Sequence, residues 1–140
     1  MSRLKTAVGL AVLTALTISL GAAAAAPARV QAPAKVSVVL MEWKLIPSTK
    51  RVKAGKVTFV VKNTGALEHE FVVLRTDAHH HALVVKGGEA LEKGLKGEIE
   101  KVPAGQKRAV TLNLKPGKYV LLCNLLGHYK AGQFAALRVS

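Results

Sequence analysis

From residue 35 onward the chain is cut into short runs of valine, leucine and aromatic residues, each closed by glycine, proline or an Asn-Thr-Gly turn. Runs of this kind leave little space for a long amphipathic helix and read as β-strands. Residues 35–43 are rich in Val, Leu and Met, and Pro47-Ser48-Thr49 breaks the run. Residues 57–61 are β-branched and aromatic and end at Asn63-Thr64-Gly65. Residues 69–74 form another run. Within residues 107–114, Val110, Leu112 and Leu114 share one face and Thr111 and Asn113 the other. Pro116-Gly117 turns the chain into residues 118–123, and residues 134–139 close it. The expectation is an all-β chain, a Greek-key antiparallel β-sandwich. One long, charged, glycine-bearing insertion interrupts it at residues 75–101, with space for a helical piece near residues 90–96.

The first residues read differently. Arg3 and Lys5 precede an apolar stretch over residues 7–20, and Ala22 to Ala26 supply small residues in A-x-A frames. This is the pattern of a signal peptide over residues 1–26, cleaved between residues 24 and 29. An uncleaved anchor is the alternative, because residues 7–26 make a stretch of 20. Residues 27–34 then form a loose linker and residues 35–140 the folded domain. Such a leader places the domain in the periplasm or on the outer face of the cytoplasmic membrane. No cysteine lies near residue 26 to carry a lipid, and no second arginine stands beside Arg3.

The whole chain holds 21 Lys and Arg against 8 acids; without Arg3 and Lys5 it keeps 19 of the bases and a net charge of +11. Half of the residues are hydrophobic, enough for a core. Cys123 is the sole cysteine, which excludes an internal disulfide and every site that needs two thiolates, iron–sulfur clusters and dinuclear copper included. In an oxidising compartment it is buried, dimer-forming or ligated.

The segment Cys123-Asn-Leu-Leu-Gly-His128-Tyr-Lys-Ala-Gly-Gln133 presents a thiolate, an imidazole and an amide five residues apart, between two expected strands. His69 stands upstream, after a turn and at the head of a strand. Two imidazoles and one thiolate with a weak axial donor describe a mononuclear type 1 copper site.

These segments resemble those of the cupredoxins, the small blue copper proteins. The resemblance runs from KAGKVTFVVKNTG (residues 53–65) through EHEFVV (68–73) to PGKYVLLCNLLGHYKAGQF (116–134). It implies one copper per chain, held by His69, Cys123 and His128. The family's usual axial methionine is replaced by Gln133, as in the stellacyanin-like branch, and an amide oxygen implies a lower reduction potential. Leu126 stands where relatives often carry proline before Gly-His.

The function implied is a one-electron carrier rather than an enzyme. His128 would show its edge through an apolar patch of Leu125, Leu126 and Tyr129. The partner expected is a redox protein with an acidic docking surface, with an anionic membrane surface as a further attraction for the basic chain, itself a monomer. Nucleic acid is not expected, because the bases are scattered and aromatics few. The alternative function is copper storage or delivery, using the same site plus the loop at His79, His80 and His81. Three consecutive imidazoles cannot all face one ion from an extended strand, so that loop is read first as exposed and polar. Trp43, Phe59, Phe71 and Tyr119 are expected between the sheets, Asn63 in its turn, and Glu68 and Glu70 facing away from His69.

Overall fold

The computed structural model of the chain describes residues 32–140, so the expected leader (1–26) and most of the linker (27–34) lie outside the described residues. Eleven strands follow in order: β1 (Ala34–Met41), β2 (Lys44–Pro47), β3 (Arg51–Val52), β4 (Gly55–Asn63), β5 (His69–Arg75), β6 (Val85–Lys86), β7 (Glu89–Ala90), β8 (Leu95–Val102), β9 (Lys107–Leu114), β10 (Gly117–Leu122) and β11 (Phe134–Val139). One sheet runs β2-β1-β4-β9 and the other β3-β11-β10-β5-β8, with β6 and β7 a separate hairpin. The sandwich is all-β. Two pairings, β1 with β4 and β11 with β3, are parallel, so both sheets are mixed. Among the described residues no helix is long and apolar enough to cross a membrane.

Alternation builds the first sheet as the sequence suggests. Val36, Val38 and Leu40 of β1, Val57, Phe59 and Val61 of β4, and Leu114 of β9 are buried between the sheets. On the outer face the Thr58 and Thr111 hydroxyls, directly opposite each other, hydrogen-bond at 2.8 Å. From the second sheet Phe71, Val73, Tyr119, Leu121, Leu137 and Val139 meet this layer. Phe59 and Phe71 pack with ring centroids 5.3 Å apart. Each fully buried side chain of this size contributes about 1.5–3 kcal/mol of transfer free energy.

The central strands β5 and β10 do not alternate in burial. Val72, Leu74, Val120 and Leu122 point to the outer side of their sheet and are buried there with Ala90 and Tyr129, and with half-buried Leu83, Val85 and Phe134. The cover comes from the segment that was expected to be an insertion. Residues 90–96 are not helical: Ala90 ends the β6–β7 hairpin and Leu95 opens β8, which pairs antiparallel with β5. The free edge of β5 offers a backbone ladder, and residues 95–102 satisfy it by adding a strand instead of coiling. Residues 76–94 fold over the outer face.

Trp43 departs from expectation too. The chain reverses at Glu42-Trp43 and returns as β2, so residues 35–43 are a strand and the two-residue turn that follows it. Trp43 takes a positive φ of 63° and is 47% exposed, outside the core. Phe59, Phe71 and Tyr119 lie inside as expected.

Candidate metal centre

His69 opens β5, and Cys123 follows directly after β10, the strand antiparallel to β5. Their adjacency comes from sheet register, since the two residues are 54 apart in sequence. The loop from Cys123 to Gln133 returns the chain to β11. It closes on itself: the Cys123 N–H donates to the Gln133 carbonyl at 3.0 Å and the Gln133 N–H to the His128 carbonyl at 3.1 Å. Gly127 enters the left-handed region at φ 79°, which a side chain at that point would resist, just before His128.

Loop stiffness has a second source at Leu126. The Gly127 N–H donates to the Gly88 carbonyl at 3.0 Å, and Gly88 packs against the Leu126 side chain. The β6–β7 turn therefore braces the Leu126-Gly127-His128 corner from outside. Asn124 ties the same hairpin down. It accepts from the Ala90 N–H at 2.8 Å and donates to the Ala90 carbonyl and to Glu92, both at 2.9 Å.

Four side chains converge. Cys123 Sγ lies 3.3 Å from His128 Nδ1 and 4.0 Å from His69 Nδ1. The Gln133 amide lies against the same group, with Nε2 3.1 Å from His69 Nδ1 and donating to the Met41 carbonyl at 3.0 Å. Donors sharing one first-row ion at about 2.0–2.3 Å stand some 3–4 Å apart, which is the spacing here. His69, Cys123 and Gln133 are fully buried and His128 half-buried. Gln133 Oε1 is buried without a hydrogen-bond partner, a costly arrangement unless something else occupies that lone pair. The thiolate and two imidazoles fit a thiophilic metal ion, and the orphaned oxygen is left free to serve as a further, weak donor.

Burial pushes the Cys123 thiol up to about 11, opposed by the Glu70 N–H, which donates to Sγ at 3.3 Å. Burial lowers His69 from its ordinary value, helped by the charge of His128 and opposed by Glu42. A neutral imidazole is the form that binds a metal.

Glu42 escaped the sequence reading. From the β1–β2 turn its Oε1 accepts from the N–H groups of Ala66 and Leu67, each at 2.8 Å, fixing the loop ahead of His69. These bonds, that from Leu67 foremost, hold its carboxyl below the ordinary range. The same oxygen lies 3.5 Å from His69 Nε2, which otherwise has no partner; at that length the contact is electrostatic attraction rather than a full hydrogen bond. Nothing in the local sequence marks Glu42 or Asn124, because each acts on a segment distant along the chain. Glu68 is exposed, and the Glu70 side chain turns away from the centre toward Glu92 and Glu98, as alternation implied.

Asn63 serves its turn and more. Its Nδ2 donates to the carbonyls of Leu67 and Val102 and its Oδ1 accepts from the Gly65 N–H. The exposed rim differs from expectation. Leu126 is 70% exposed, but Tyr129 is buried, and Trp43 replaces it, its ring edge-to-face with His128 at 5.1 Å.

His79, His80 and His81 form a second group. They sit on a turn closed by the Ala82 N–H on the His79 carbonyl at 2.8 Å, and their ligand nitrogens lie within 4.8 Å of one another. The extended-strand argument against convergence does not apply to a turn.

A cupredoxin-like domain model matches residues 9–136 of the chain. No curated protein sequence matches it. Among solved structures, dithionite-reduced auracyanin from the photosynthetic bacterium Roseiflexus castenholzii is similar at a TM-score of 0.62 and 21% identity, over 79% of this chain and 99% of its own. Rusticyanin from Thiobacillus ferrooxidans reaches a TM-score of 0.60 at 16% identity, over 78% of this chain and 79% of its own. Auracyanin A from Chloroflexus aurantiacus, a blue copper protein, reaches 0.57 at 19% identity, over 78% of this chain and 100% of its own. At these identities the likeness is one of fold.

Proposed function

The chain belongs to the cupredoxin-like family, whose members bind copper, and from that premise we propose that it is an exported type 1 copper protein acting as a one-electron carrier. His69 Nδ1, Cys123 Sγ and His128 Nδ1 would hold the ion, with Gln133 Oε1 as the weak axial donor. The observation that carries this reading is the convergence of two imidazoles and the Cys123 sulfur, with the Gln133 amide packed against His69 and its oxygen buried and unpartnered. Copper there would supply a Cu(I)/Cu(II) couple.

The protein's part is to hold the donors still. Sheet register fixes His69 against Cys123, the loop hydrogen bonds fix His128 and Gln133, and the β6–β7 hairpin braces the corner between them. Buried walls exclude water from three of the four donors. His128 is the half-exposed member, and its contact with Trp43 marks the face through which electrons would pass. No substrate is transformed, so the reading is of a carrier, not an enzyme. Residues 1–26 would be the signal peptide and 27–34 a linker to the domain at 35–140, which would work as a monomer in the periplasm or on the outer face of the cytoplasmic membrane. Its surplus of basic residues suits a redox partner with an acidic docking surface, met briefly through a small interface, or an anionic membrane.

The visible spectrum tests this. Cu(II) added to purified protein should give intense visible absorption that a mild reductant bleaches reversibly. Colourless Cu(I) uptake with release to a chelator would favour storage or delivery instead, and no binding would defeat both. For the axial donor, Gln133→Met should raise the reduction potential by at least about 59 mV, the one-electron equivalent of a tenfold change in preference. An unchanged or lower potential removes Gln133 from the ligand set.

A further inference from the structure

The three-histidine turn is an unassigned group of metal-binding atoms outside the pocket of Cys123. We propose that His79, His80 and His81 form a second, separate metal site that takes a borderline divalent ion, Cu(II) or Zn(II), from solution. The His79 ring packs at a tilt against His80 and His81, with centroids at 4.7 Å and 4.3 Å, and His80 meets His81 edge-on at 5.3 Å. Two nitrogens on one ion at about 2.0–2.1 Å are at most about 4.2 Å apart. The 4.8 Å span therefore closes with a small rotation of the exposed His79 and His81 rings.

The turn is not a free loop. The Tyr129 hydroxyl donates to the His80 carbonyl at 3.0 Å and accepts from the Leu83 N–H at 2.9 Å, so the backbone is pinned at the middle of the triplet and just beyond it. The His80 ring lies against Phe134 at 5.5 Å, and Phe134 against Tyr129 at 5.1 Å. Backbone and one ring are thus set before any ion arrives, which lowers the ordering cost of binding. Imidazole without thiolate suits Cu(II), Ni(II) and Zn(II), and among these Cu(II) binds most tightly. His79 and His80 line a surface cavity in which Asp77 brings a negative charge, while Lys50, Arg51, Lys118 and Arg138 around it oppose a cation. Affinity should accordingly be modest, in the micromolar class.

Because Tyr129 and Phe134 directly follow His128 and Gln133, the turn rests on the neighbours of two proposed copper donors. An ion there would sit beside the buried centre without sharing a ligand with it.

Zn(II), which is redox-silent, is the probe. Isothermal titration of copper-loaded protein with Zn(II) should show one ion per chain, weakened at least tenfold in the His79→Ala/His81→Ala variant. The visible copper absorption should stay constant throughout, and a second equivalent of Cu(II) should give a tetragonal, nitrogen-type EPR signal that the variant lacks. The substitutions leave the His80 carbonyl and ring in place, and an unchanged thermal transition checks that the variant is folded. Equal Zn(II) affinity in variant and wild type, or no Zn(II) uptake by the wild type, overturns the proposal. If no blue absorption forms at all, the carrier reading fails, but the difference between wild type and variant toward Zn(II) still decides the second site.

Discussion

Two histidine clusters in one small domain are built in opposite ways. In the first, His69 and Cys123 are 54 residues apart and meet because β5 and β10 are hydrogen-bonded neighbours, sealed under core side chains. In the second, three successive residues share an exposed turn. The first cluster has geometry only while the whole sandwich stands. The second needs little more than its turn and the Tyr129 hydroxyl beneath it. Convergence through tertiary structure yields a dry, fixed pocket able to hold one coordination geometry; contiguity yields a wet, adjustable one.

The sharpest way to break this contrast is at the sulfur. Cys123→Ser should abolish the intense visible absorption of the copper-loaded protein, because an alcohol cannot replace the thiolate. His81→Ala should leave that absorption intact. Loss of the band in both variants would show that the clusters are not independent.

A second test asks whether remote anchoring matters to one cluster alone. Asn63 is fully buried, and its removal orphans two carbonyls and one N–H around the loop that leads into His69. Asn63→Ala should cost about 1–3 kcal/mol in denaturant unfolding. Asp77→Asn, at the edge of the exposed turn, should stay within about 0.5 kcal/mol. Equal effects would erase the distinction.

The smallest expected effect is in pH. Burial first, then the charges of Glu92, Glu98 and Glu89, raise the Glu70 carboxyl from 4.5 to about 7. Below 4.5 the group is protonated in both folded and unfolded chains and costs nothing. As pH rises toward about 7 the unfolded chain releases its proton first, so stability declines over that window. Thermal unfolding of metal-free Glu70→Gln should show a shallower decline than wild type between those limits. Matching slopes would mean that solvent screens Glu70 as well as it does an exposed acid.

Legibility in the sequence followed the range of the interaction. The continuous apolar runs FVVL (71–74) and YVLL (119–122) already lacked the alternation of a strand with one wet face, and both prove buried on two sides. The sequence reading assigned the segment that covers them, residues 75–101, to an insertion with a helical piece. Trp43 was placed in the core because its run of hydrophobic neighbours does not show where the chain reverses. The three histidines were read first as an exposed polar loop, on the assumption of an extended backbone, and kept only in the alternative function.

What the amino-acid order settled alone was local: where strands start and stop, since β-branched runs and Gly, Pro and Asn turns act within a few residues, and which side chains carry soft-metal chemistry. Which edge of β5 receives β8, why Glu42 faces His69, how Asn124 clasps Ala90 and that Trp43 leans on His128 came only from folding. Each of those contacts joins residues whose separation along the chain carries no period, and a periodic pattern is the only means by which a sequence shows its neighbours directly.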